Sequence, residues 1–236
     1  MEKYSDFLSR ISYQQAELQL GDGKFEADER VHQKVNSENS FKAFYGDTVV
    51  FDLCGKTKKK LNKIIDKLYE EAGECFCERL RENTLHMTLH DLSAAESIEE
   101  ISADVFRNEV KLLRIIRQEP IESHKIKMKL NYIVNMVNTS LIAALVPEDK
   151  SQWNKLQKLY SMVDKVRVCP YPYLTPHITL AYFNYNGFAE ESADNLREIV
   201  KELNSKSMEI TLDTDKLFYQ KFVSMNEYIN VFRLTE

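Results

Sequence analysis

An α+β fold assembled from two copies of one unit is predicted by three observations. The four-residue pattern His-apolar-Thr-Leu occurs twice, as His86-Met87-Thr88-Leu89 and His177-Ile178-Thr179-Leu180, 91 positions apart in a chain with only five histidines. The same order of elements (strand, helix, His strand, helix, strand) surrounds both copies. The spacing inside each half also agrees: Val50 precedes His86 by 36 residues and Ile142 precedes His177 by 35. Two copies are too few for a stacked array, so the repeat reads as an internal duplication of a unit of roughly 90 residues.

Each element has a local reason. Tyr4–Leu20 carries apolar residues at helical spacing (Phe7, Leu8, Ile11, Ala16, Leu20), stopped by Gly21-Asp22-Gly23. Residues 1–40 therefore form a helical appendage before a single bilobal domain, 41–236. Lobe one spans about 48–137 and lobe two about 141–236, and the tail strands are free to exchange between lobes. Thr48–Leu53 is a strand rich in β-branched residues. Thr57 can cap a helix to about Ala72, with Leu61, Ile64, Ile65 and Leu68 on one stripe. The first His strand covers Thr84–Leu92, and a helix covers Ala103–Gln118, stopped before Pro120. Lys125–Leu130 alternates polar and apolar residues and continues through Val134.

The second half repeats this order: strand Leu141–Val146, helix Asp149–Val166, His strand Leu174–Tyr182, helix Ser192–Leu203 and strand Met208–Leu212. A closing antiparallel pair spans Lys216–Val223 and Glu227–Leu234, turned at Ser224-Met225-Asn226.

Composition narrows the function classes. The chain has 236 residues and is 43% hydrophobic, enough for a large core. No apolar run reaches the roughly 18 residues that a membrane helix needs, and the first residues carry no signal-peptide stretch. The four cysteines form no metal-ligand spacing, which fits reduced thiols in a cytoplasmic protein. A net charge of −5 disfavours a broad polyphosphate surface and long duplex nucleic acid, while a small phosphate ligand stays compatible.

In a strand, alternate side chains share a face. His86 and Thr88 therefore lie together, as do His177 and Thr179, and Met87, Leu89, Ile178 and Leu180 face a core. Two imidazoles across one groove suit a reaction in which one group removes a proton and the other supplies one, because histidine has both forms accessible near neutrality. The neighbouring hydroxyls can donate to a phosphoryl oxygen. Such chemistry calls for no metal and no cofactor. His90 falls two residues beyond Thr88 and by alternation shares its face. Tyr171 and Tyr173, held in a proline-rich loop, are candidates to stack on a base. Phe44-Tyr45-Gly46 is a candidate opposite wall. The Lys56–Lys60 cluster reads as an exposed basic tip, and His32 and His124 have no partner pattern.

The paired His-x-Thr strands in matching halves resemble the two-histidine (2H) phosphoesterase superfamily over roughly Thr48–Glu236. That resemblance implies antiparallel sheets with outer helices around a central cleft and a pseudo-two-fold axis. It makes His86 and His177 the acid/base pair and Thr88 and Thr179 phosphate-binding. The implied activity is a phosphoric diester hydrolase of cyclic phosphodiesterase type, opening a cyclic phosphate or cleaving a 2′-5′ or 3′-5′ bond of a nucleotide or RNA end. The alternatives are a non-catalytic nucleotide or phosphate-end binder, and an RNA ligase running the reverse reaction.

Overall fold

A computed structural model describes residues 2–168 and 173–235. Two four-stranded antiparallel sheets organise the chain. The first comprises β1 (Tyr45–Asp52), β2 (His86–Ala95), β7 (Leu217–Ser224) and β8 (Glu227–Arg233), in the order β2-β1-β7-β8. The second comprises β3 (Lys125–Met136), β4 (Ser140–Pro147), β5 (His177–Tyr182) and β6 (Met208–Asp213), in the order β5-β4-β3-β6. Both His strands are outer strands. β2 and β5 lie against each other with no ladder between them, so a seam separates the sheets.

The chain crosses between sheets twice. β3 leaves the first half to pair with β4 and β6, and the closing strands β7 and β8 return to β1. By position, β7 and β8 stand to β1 as β3 and β6 stand to β4.

Helices α3 (Gly55–Ala72), α4 (Ile98–Gln118), α5 (Lys150–Asp164) and α6 (Glu190–Asn204) each bury one apolar stripe. The side chains of Ser97 and Asp149 accept from backbone N–H groups and cap α4 and α5. Cys54 precedes α3, and Thr57 lies inside it, its hydroxyl 3.2 Å from the Cys54 thiol. Among the described residues, no helix is long and apolar enough to cross a membrane.

The N-terminal segment departs from its periodicity. Helix α1 (Tyr4–Arg10) ends early, yet Ile11, Leu18 and Leu20 beyond it are buried. Their spacing records contact with the body of the protein, not helical winding. Phe7 stacks on Trp153 with ring centroids 4.2 Å apart, and the Trp153 indole donates to the Glu2 carbonyl. Further on come the short α2 (Glu29–His32) and an antiparallel bridge between Phe25 and Phe188. Gly187 makes that bridge possible: its φ is +68°, and a Cβ there would sit 1.9 Å from the Phe25 carbonyl oxygen.

Candidate functional site

The site is built on the seam. His86 opens β2 and His177 opens β5, and both rings are half-buried. Each ring is anchored in the same way. His86 Nδ1 lies 2.6 Å from the Thr84 carbonyl oxygen, and His177 Nδ1 lies 2.8 Å from that of Thr175. A carbonyl only accepts, so Nδ1 carries the hydrogen in both rings and Nε2 is left to exchange protons. His124, at the residue before β3, makes the same contact with Glu122, so the anchor follows from a histidine at a strand start. The cleft pair differs in what surrounds Nε2.

Those surroundings join the two motifs. Burial pushes the His86 imidazole down to about 4, assisted by the charges of His177 and Lys58 and opposed by the Thr84 carbonyl and Asp91. Burial lowers His177 as well, with Lys34 acting in the same direction and the Thr175 carbonyl and Asp91 against it. The Asp91 carboxylate thus acts on both rings. Thr88 and Thr179 are half-buried on the faces of their histidines, and neither hydroxyl has a hydrogen-bond partner among the described residues.

A pair of matched β-bulges shapes the strand beyond each motif. Val50 opposes Thr88 and Val49 opposes His90, leaving Leu89 as the extra residue. Ile142 opposes Thr179 and Leu141 opposes Ala181, leaving Leu180 as the extra residue. A bulge reverses the alternation downstream. His90 therefore does not share the face of His86 and Thr88. It is 2% exposed, its Nε2 is 3.1 Å from Asp164 of α5, and its ring packs on Tyr160. The position that alternation assigns to His90 goes to Asp91 in the first half and to Tyr182 in the second.

An aromatic cluster beside His86 comes from the far edge of the first sheet. That sheet coils strongly enough for Tyr228 of β8 to meet His86 edge-on, with ring centroids 4.9 Å apart. Burial, with Tyr182 and Asp91, raises the Tyr228 phenol well above its ordinary value, so it keeps its proton. Tyr182 and Tyr228 both point their hydroxyls at the Met225 sulfur, a weak acceptor. Phe44 and Phe222 pack beside them. Gly46 is required there, because a Cβ would stand 2.2 Å from the Phe222 ring and 2.3 Å from the Ser93 carbonyl oxygen.

The remaining sequence candidates lie elsewhere. Tyr173 is exposed and stacks under the Arg10 guanidinium, 5.4 Å from its centroid, beside a cavity of about 420 Å³ that also involves Asp164 and Tyr160. Tyr171 lies outside the described residues. Lys58, from the basic cluster, is drawn in by Asp52 at 2.6 Å and is only 11% exposed. Asp91, Tyr182, Tyr228 and Lys34 escape sequence reasoning: a bulge hides the first two, and chain distance hides the others. Among the described residues, no group of three or more His, Cys, Asp or Glu side chains is placed to hold a metal ion.

The depressed imidazoles have a consequence for stability. Between about pH 6.5 and about 4 the unfolded chain binds more protons at His86 than the folded one, so stability rises with pH across that window. The melting temperature is expected to fall as pH drops from 6.5 toward 4, and His86→Gln should flatten that fall. An equal slope in both proteins would show that His86 is not depressed.

No family model matches the chain, and no curated protein matches it. Solved structures do. A conserved protein of unknown function from Agrobacterium tumefaciens superposes with a TM-score of 0.69 at 13% identity, covering 89% of this chain and 94% of that one. E. coli LigT aligns with a TM-score of 0.47 at 14% identity, covering 81% and 97%, and a phosphoesterase with a TM-score of 0.46 at 14% identity, covering 81% and 99%. The fold assignment rests on the first. The chain shares the two-sheet α+β fold of that Agrobacterium protein, the architecture that the two-histidine resemblance implied.

Proposed function

We propose that the chain is a two-histidine phosphoesterase: a metal-independent phosphodiesterase hydrolysing a cyclic phosphate, or a 2′-5′ or 3′-5′ phosphodiester, of a small nucleotide or RNA end. One observation carries the reading. Two imidazoles on facing strands each have Nδ1 committed to a carbonyl, Nε2 available, and an unpartnered threonine hydroxyl two residues along.

His86, depressed to about 4, is neutral at pH 7 and suits the base. Its Nε2 takes a proton from water as the water oxygen bonds to phosphorus. The ester P–O bond breaks, and the departing oxygen receives a proton from His177 Nε2. Thr88 and Thr179 donate to the non-bridging oxygens, whose negative charge grows in the transition state. The phosphate anion, like Asp91, raises His177 toward the charged form that an acid needs.

The test is incubation with 2′,3′-cyclic mononucleotides, cyclic dinucleotides and 2′-5′ oligoadenylates, with products resolved by chromatography. Turnover of at least one class is expected, undiminished by EDTA. The profile of kcat/KM should be bell-shaped with its optimum on the acid side of 7, because both free imidazoles are depressed. Complete loss on chelation would point to a metal mechanism. Saturable binding without turnover would favour a nucleotide-capturing protein.

A further inference from the structure

The segment before the duplicated unit brings a cation to the cleft. Lys34 lies just beyond α2, and its half-buried side chain places Nζ 5.2 Å from the Tyr182 ring centroid and 5.5 Å from that of Phe44. Tyr182 occupies the bulge-shifted position of β5, the counterpart of Asp91 in β2. The ammonium is close enough for its charge to bear on His177.

The two cations beside the histidines differ in one respect. Lys58, beside His86, is neutralised by Asp52 at 2.6 Å and also donates to the Asn83 carbonyl. Lys34 has no carboxylate within ion-pair distance among the described residues. Two aromatic faces steady an ammonium, but they accept no conventional hydrogen bond, so among the described residues its three N–H donors have no protein partner and face solvent. An unneutralised ammonium beside an imidazole that must itself become charged is unfavourable until an anion arrives.

We infer that Lys34 is a substrate-binding residue, donating to a non-bridging phosphoryl oxygen of a phosphate ester on the His177 side of the cleft. This inference rests on the phosphodiesterase reading and extends it: the anion is clamped by a cation from outside the duplicated halves. In the first half, Asp52 already neutralises the corresponding charge. The same ammonium stabilises charge as it builds on the phosphoryl oxygens, where a preorganised donor in a partly desolvated site acts most strongly. His177 is then flanked by the Thr175 carbonyl, Asp91, His86 and Lys34, which balance one another once phosphate is bound.

Inorganic phosphate is the probe, titrated into wild type, Lys34→Met and Lys34→Arg while the His177 imidazole resonances are monitored by NMR. Methionine keeps an unbranched stem against the rings and removes the charge. The phosphate Kd is expected to rise at least tenfold in Lys34→Met and to be largely restored in Lys34→Arg, with the melting temperature unchanged. Without phosphate, the His177 titration midpoint should move upward in Lys34→Met, an effect that a purely structural role would not produce. Equal phosphate affinity in wild type and Lys34→Met, or no saturable phosphate binding to wild type, would overturn the inference. Failure of the hydrolysis panel would instead strike the catalytic reading, because phosphate binding is scored separately.

Discussion

Replacing either cleft histidine by alanine is expected to reduce kcat by roughly 10²–10⁴-fold, the range for losing a positioned general acid or base. The effect should be similar for His86→Ala and His177→Ala, because each step needs one proton removed and one supplied. The double variant should fall little below the single ones, since the two groups act as a unit. Both rings are half-buried at strand starts, so the folded state should survive and the circular dichroism spectrum should match wild type. Their pH profiles should differ: losing His86 removes the acid limb of the bell, and losing His177 removes the other. Wild-type turnover in either variant would end the two-histidine mechanism.

Phe7→Ala is the largest expected effect on stability. Phe7 is fully buried against Trp153, itself fully buried and tied to Glu2. Truncating such a ring costs about 3–5 kcal/mol, combining lost burial with the cavity left behind. In a domain of this size that corresponds to a fall of about 6–20 °C in melting temperature. Denaturant unfolding with an unchanged slope should show the same loss as a shift in midpoint. A cost below about 1 kcal/mol would mean that α1 contributes little to the α5 surface.

Much of this fold is legible in the residue order. Most strands and helices of both halves fall where periodicity places them, because each has one apolar face: Asp149 caps α5 and Ser224-Met225-Asn226 turns the closing hairpin. By contrast, α4 starts at Ile98 behind a Ser97 cap, five residues before the expected Ala103, and α3 starts at Gly55 without a Thr57 cap. The paired histidines are legible for a different reason, since a repeated motif in matching halves needs no knowledge of tertiary contacts. What eludes the sequence is whatever long-range packing decides. The spacing of Ile11 and Leu18 looks helical, yet these residues are buried by an irregular segment. Alternation assigns His90 to the cleft, but one extra residue in β2 turns it toward Asp164. Lys34 and Tyr228 reach the histidines from positions remote in the chain, and no local pattern marks them.

The matched bulges bear on descent. An extra residue directly after each His-x-Thr, at Leu89 and at Leu180, is more simply inherited by both halves than acquired twice. The irregularity would then be as old as the imidazoles, already present in the single ancestral half. Divergence came at the residue it exposes, where one copy now carries an acid and the other a phenol. Together with Lys34, which enters from outside the halves, that position distinguishes one side of the groove from the other.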